Sequence, residues 1–232
     1  MVTYDQFSQQ TKAVLTRMHQ ACLAAGRDPS SVRLLPVTKT NPVEAAIFAH
    51  QLGARSVGEN RVQEAALKRP GAPATLRWEL IGHLQSNKAK QALQTFDVLQ
   101  TVDSADLAAR LGRIATELGL TREIYVQVNS GDDPAKFGCD LAATSAVLAA
   151  ALAHSSLKVV GLMAIAPLSD NPAVAQRTFK TLRRCRDEME ASFSIKLPEL
   201  SMGMSGDLEI AIAEGSTCVR VGTALFGPRP AL

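Results

Sequence analysis

The sequence predicts a single-domain (β/α)8 TIM barrel, an α/β fold, with an N-terminal helix packed on it. Short apolar runs rich in β-branched residues alternate with helical stretches along the chain, the pattern of a parallel sheet whose crossovers are helices. Eight such units suffice to close a barrel. The length of 232 residues falls within the about 200 to 400 that this fold commonly takes, so residues 1–232 form one domain.

Each element has its own signal. The segment 4–25 carries Phe7, Val14, Leu15, Met18 and Cys22 on one helical face, so residues 1–30 form a helical extension lying across the barrel's N-terminal face or along its flank. The first strand is expected over 34–39, ahead of the turn Thr40-Asn41-Pro42 and a helix over 42–52. Further strands are expected at 56–59, 78–81, 98–102, 123–128, 158–164, 199–202 and 217–221. Helical patterns at 105–118, 142–153 and 172–193 lie between them, many opened by proline, aspartate or serine or closed by glycine. The longest apolar region, 141–166, is broken by His154, Ser155, Ser156 and Lys158, so it reads as helix, turn and strand and not as a membrane span. Trp78, opening the third strand, is expected to pack in the core or at its rim.

Composition excludes several classes. A formal net charge of +3 without a dense Lys/Arg block gives no reason to propose nucleic acid or membrane as a partner, while a small anionic ligand remains compatible. Cys22, Cys139, Cys185 and Cys218 lie far apart with no C-x-x-C, so reduced, buried thiols are expected, and neither disulfides nor a metal site. The N-terminus lacks the basic-then-apolar order of a signal peptide, which points to a cytoplasmic protein.

In such a barrel chemistry belongs at the C-terminal ends of the strands. Lys39 closes the first strand there. Partly desolvated, its amine has a lowered pKa and attacks carbonyls, as a Schiff-base lysine does; the plainer alternative is a lysine that snorkels into water. Asn60, Arg61, His83, Gln85, Asn87, Lys88, Asn129, Lys136 and Gly138 follow later strands, giving a polar, cationic mouth. At the end of the chain, Ser205 follows the seventh strand and Gly222-Thr223 the eighth, ahead of a short segment Ala224-Leu225-Phe226. Loops after the last two strands, with a short extra helix, are this barrel's recurring phosphate site. An ordinary helix cap at Ser205 and a barrel-closing turn are the alternative. His83 is read as a loop-orienting residue, with no carboxylate near it in sequence to hold a reactive tautomer; Glu64 is read as a surface or ion-pair residue.

An amine on one side and an oxyanion cradle on the other call for a ligand with both an aldehyde and a phosphate. Pyridoxal 5'-phosphate fits both. Arg220 shares its side-chain face with Gly222 by period two and is the candidate partner of the ring nitrogen. As a pure donor it would leave that nitrogen unprotonated and the ring a poor electron sink.

The sequence resembles the pyridoxal phosphate homeostasis proteins, also called proline synthase co-transcribed homologues. The resemblance runs from the first helix to Arg229. Its marks are Val37-Thr38-Lys39-Thr40, Val57-Gly58-Glu59-Asn60-Arg61-Val62-Gln63-Glu64, Ile81-Gly82-His83-Leu84-Gln85-Ser86-Asn87-Lys88, Lys136-Phe137-Gly138, Gly161-Leu162-Met163-Ala164, Leu200-Ser201-Met202-Gly203-Met204-Ser205 and Val219-Arg220-Val221-Gly222-Thr223-Ala224-Leu225-Phe226-Gly227. It implies the barrel of the alanine racemase N-terminal domain, a cofactor-binding Lys39, phosphate contacts at Ser205, Gly222 and Thr223, a ring-nitrogen contact at Arg220 and a pocket lined by Asn60. It also implies a second or transfer site at Lys136. Family members often carry lysine where Asn41 stands, tyrosine where Arg61 stands and a basic tail where this chain has Pro230-Ala231-Leu232.

The function expected is therefore a non-catalytic carrier that holds pyridoxal phosphate as a Schiff base on Lys39 and supplies apo-enzymes in vitamin B6 homeostasis. A small amino-acid racemase is the alternative. Racemisation needs acid/base groups on both faces of the ring. Lys39 serves one face, and in alanine racemases the opposing tyrosine comes from an additional β domain of a partner subunit. This chain is expected to stop where that domain would begin, which also removes a known dimer surface and favours a monomer. Its only tyrosines, Tyr4 and Tyr125, lie near the N-terminus and inside a strand. A phosphosugar aldolase would explain Lys39 and the phosphate turns but leaves Arg220 without a role.

Overall fold

Eight short strands, β1 (Arg33–Pro36), β2 (Ser56–Glu59), β3 (Arg77–Leu80), β4 (Val98–Val102), β5 (Arg122–Gln127), β6 (Leu157–Met163), β7 (Glu199–Ser201) and β8 (Cys218–Val221), pair side by side and in parallel. The sheet order is β1-β8-β7-β6-β5-β4-β3-β2. A bridge between Val37 and Gly58 brings the end of β1 against β2 and closes the ring. The structure is a computed structural model and describes residues 2–227. Arg229 and the tail Pro230-Ala231-Leu232, both used in the sequence comparison above, lie outside them.

Helices α2 (Glu44–Gln51), α3 (Val62–Lys68), α4 (Ala89–Thr95), α5 (Ala105–Glu117), α6 (Thr144–Leu152), α7 (Pro172–Phe193) and α8 (Leu208–Ala213) fill the crossovers, and α9 (Thr223–Phe226) follows β8. Their apolar faces and the outward residues of the strands share one large core, which includes the fully buried Trp78. Gly161 lets β6 and β7 approach closely: a Cβ there would meet the Glu199 carbonyl oxygen at 1.8 Å. All four cysteines are free and buried, as composition led us to expect. Among the described residues, no helix is long and apolar enough to cross a membrane.

Helix α1 (Tyr4–Ala24) starts at a capping box, in which Thr3 and Gln6 exchange side-chain and backbone hydrogen bonds. It lies along the flank, against α8 and α9, and not across the N-terminal face. The Phe7 ring stacks on Phe226 of α9 at 5.0 Å, and Arg17 pairs with Glu209 of α8 at 2.7 Å. The buried stripe is Phe7, Thr11, Val14, Met18 and Cys22. Leu15, expected on that face, is one residue round the helix and exposed.

Inside the barrel, apolar residues form two small groups, Leu35, Val37, Ile81 and Cys218, and Val98, Tyr125 and Met163. Between them runs a set of polar side chains. Gln100 of β4 and Ser201 of β7 bond each other although their strands are not neighbours in the sheet, so the contact crosses the interior. This barrel core is far more polar than the usual layers of branched aliphatic residues.

Candidate functional site

Lys39 lies just beyond β1, not within it. Pro36 has no N–H with which to continue the ladder. The chain then crosses from β8 to β2: Val37 N donates to Val221 O at 2.8 Å and Thr38 N to Gly58 O at 3.0 Å. Thr40 next takes a left-handed backbone, φ 62°. Several bonds hold that turn. Thr40 N donates to Glu64 Oε1 at 2.6 Å, and the Thr40 hydroxyl and Asn41 Nδ2 both donate to the Lys39 carbonyl.

Lys68 underpins the turn from behind. Its Nζ donates to Glu59 Oε1, Glu64 Oε1 and the Thr38 carbonyl at 2.8, 2.6 and 3.0 Å, and Thr38 Oγ1 donates to the same Glu59 oxygen at 2.6 Å. Burial pushes the Glu59 carboxyl above its ordinary pKa, while Lys68 and Thr38 pull it back. Sequence reading left Glu64 as a surface or ion-pair residue, and it makes the ion pair, but Lys68 was passed over. The spacing Glu64 to Lys68, i to i+4 on a helix, was the available signal.

Across the barrel mouth, the turns after β7 and β8 are joined. Ser205 Oγ accepts the Ala224 N–H at 3.4 Å, and Arg17 donates to the Ser205 carbonyl at 3.1 Å while holding Glu209. Ser205 does not cap α8. Asp207 occupies that position, with its carboxylate turned back to the Met204 N–H. Gly203, at φ 95°, lets the turn pass α8, since a Cβ there would sit 2.5 Å from that of Ala211. The N–H groups of Ser205, Gly206, Gly222 and Thr223 are donated to no other described residue.

Arg220 rises from β8 inside the barrel and is only 4% exposed. NH1 donates to Ser201 Oγ at 2.7 Å and NH2 to the Ala164 carbonyl at 2.8 Å. Burial draws its pKa below the ordinary arginine value.

These parts enclose one cavity of about 650 Å³. Lys39, Asn60, Ser205, Arg220, Gly222 and Thr223 all line it, with Val37, Ile81 and Ile165 as apolar walls and Gln6 of α1 at the edge. No Asp, Glu, His or Tyr is among its described lining residues. The cavity thus presents hydrogen-bond donors and two cationic side chains, the combination that suits an anion.

Other mouth residues lie elsewhere. Lys136, Arg61, Lys88, Asn129 and Gly138 do not line this cavity. His83, Gln85 and Asn87 line a separate groove with Asp103. His83 Nδ1 lies 3.1 Å from Asp103 Oδ2 and its ring stacks on Phe137 at 3.9 Å. The carboxylate that sequence reading found missing near His83 comes from the loop after β4, twenty residues on. No group of three or more His, Cys, Asp or Glu suited to a metal ion occurs among the described residues.

A family model described as "Alanine racemase, N-terminal domain" matches residues 16–230. A curated relative from Aquifex aeolicus, called pyridoxal phosphate homeostasis protein, is 37% identical over 217 residues, covering 93% of this chain and 95% of its own. The chain belongs to the pyridoxal phosphate homeostasis protein family. Among solved structures of similar proteins is PipY of Synechococcus elongatus with pyridoxal phosphate bound, 41% identical, with a TM-score of 0.80 over 91% of this chain and all of that one. An alanine racemase of Clostridium difficile matches with a TM-score of 0.79 over 98% of this chain and 58% of that one, at 15% identity, a likeness of fold. In this homeostasis-family member, sequence reading of the site missed the supports: Lys68 behind Lys39, Arg17 behind Ser205, and Ser201 and Gln100 beneath Arg220.

Proposed function

We propose that this protein binds pyridoxal 5'-phosphate through Lys39 and acts in vitamin B6 homeostasis as a carrier without turnover of its own, supplying apo-enzymes. The observation that carries the reading is the single cavity that gathers Lys39, Arg220 and the two joined turns while excluding carboxylates. The donor set fits the cofactor: N–H groups with no partner among the described residues and the Ser205 and Thr223 hydroxyls for a phosphate, Lys39 Nζ for an aldehyde, and a buried guanidinium for an aromatic nitrogen. When bound, the cofactor supplies an electrophilic aldehyde and a ring whose electron-withdrawing power depends on protonation of its nitrogen.

Arg220 donates hydrogen bonds and carries no proton that it readily gives up, so it meets an unprotonated nitrogen and keeps it so. Lys39 is the only amine among the described lining residues, which include no carboxylate, imidazole or phenol, and it serves one face of a bound ring. Both points support binding over racemisation, and so do the homeostasis names of the relatives. The four free buried cysteines support a reducing, cytoplasmic setting.

Borohydride reduction of the cofactor-loaded protein, followed by peptide mapping, tests the assignment. The expected product is a pyridoxyl group on the peptide containing Lys39, lost in Lys39→Ala while some phosphate-driven affinity remains. Label found only on other peptides refutes it. Fast exchange of an amino acid's α-proton with deuterated solvent would refute the carrier role.

A further inference from the structure

The polar line inside the barrel begins at the cavity and leads away from it. Arg220 NH1 donates to Ser201 Oγ at 2.7 Å, Ser201 Oγ donates to Gln100 Oε1 at 2.6 Å, and Gln100 Nε2 donates to Glu79 Oε2 at 2.6 Å. Glu79 also takes two bonds from Arg33, at 2.9 and 3.1 Å. Glu79, Gln100, Ser201 and Arg220 are all buried, at 1%, 0%, 0% and 4% exposure.

Every donor in this line points toward Glu79, and the chemistry of its ends requires it. Arginine only donates and an ionised carboxylate only accepts. Ser201 accepts from Arg220, so its one proton goes to Gln100, and the Gln100 amide is thereby locked with its NH2 toward Glu79. Reversing Ser201 sets donor against donor at Arg220, and reversing Gln100 sets acceptor against acceptor at Glu79, among side chains that are all buried. The line therefore has one direction, with an anionic sink at its far end and the cavity's guanidinium at the other.

We propose that Glu79 is a positioning residue for the contact between Arg220 and the cofactor's ring nitrogen. Through Gln100 and Ser201 its carboxylate holds the NH1 side of the guanidinium down into the barrel and so aims the remaining N–H donors at the cavity. This rests on the cofactor reading above. It goes beyond it by assigning the far side of the barrel a part in ligand discrimination.

The test compares equilibrium binding of two ligands that share aldehyde and phosphate: pyridoxal 5'-phosphate, and its carbocyclic analogue in which C–H replaces the ring nitrogen. Wild-type protein is expected to prefer the cofactor by about tenfold or more, the usual worth of one charged hydrogen bond. In Glu79→Gln that preference collapses to within about twofold while the analogue binds nearly as before. Gln100→Met breaks the line without touching the Arg33–Glu79 pair, gives the same collapse, and stands in if Glu79→Gln does not fold. Full preference retained in either folded variant overturns the inference, and so does equal loss for both ligands, the mark of general structural damage. Failure of both variants to fold would make the line core structure only and overturn it too. If wild type binds both ligands equally, the ring-nitrogen contact itself fails, and if it binds neither, the cofactor reading fails.

Discussion

Thr40 holds a left-handed backbone although its side chain is β-branched, a combination that costs of order 1–3 kcal/mol. The strain is held by bonds to Glu64 and to the Lys39 carbonyl, and its effect is to turn the chain sharply just after Lys39. Glycine adopts the same φ without strain but loses more freedom on folding, so Thr40→Gly should change unfolding stability by less than about 1 kcal/mol. The turn would nonetheless lose its stiffness and the amine its fixed aim. Severalfold slower fixation of cofactor on Lys39, followed by timed borohydride quenching, is the expected result. An unchanged rate at unchanged stability would show that the strained turn does not aim Lys39.

Helix α3 contributes chiefly by delivering Lys68 to two carboxylates. Glu59 is fully buried, so removing the cation in Lys68→Met leaves an uncompensated charge and should cost about 3 kcal/mol or more at neutral pH. The pH dependence has a definite sign. Burial raises the folded-state pKa of Glu59 above its ordinary 4.5, so the folded form takes up a proton first and stability falls as pH climbs from 4.5 through the raised value. Without Lys68 the raised value moves higher still. Urea midpoints should therefore show a deficit in Lys68→Met that shrinks as pH is lowered toward 4.5, and a deficit independent of pH would assign the loss to packing. Nothing in the periodicity announced this helix: α3 and α4 are each too short for an amphipathic pattern to register, whereas the small-residue turn after the seventh strand announced α8. The longer α7 and the strand β4 fall where sequence patterning puts them, because length speaks in the one and β-branched composition in the other.

Across the molecule as a whole, Lys39, Asn60, Ser205, Gly222 and Thr223 were legible because each follows a strand end, and strand ends are countable once a barrel is inferred, while Arg220, inside β8, was reached by its period-two relation to Gly222. The parts that hold those groups in place were not, since Glu79, Gln100 and Ser201 come from three different strands and meet only when the sheet closes. The placement of α1 was equally hidden, because its apolar stripe says that it packs but not on what. Its place on the flank brings Val2 and Gln6 to the cavity edge, seats Phe7 on α9 and ties Arg17 to the Ser205 turn. A ligand that fills the cavity must then stabilise three stretches far apart in sequence: the start of α1, the turn around Lys39, and the last two turns. Ligand that binds only the folded chain raises stability by RT ln(1 + [L]/Kd) everywhere, so the informative quantity is protection beyond that uniform gain. Hydrogen exchange with and without pyridoxal 5'-phosphate should show such protection at residues 3–8 together with 38–41 and 203–227. Protection confined to the latter two would leave α1 a passive strut, and its tie through Arg17 and Phe7 without a part in binding.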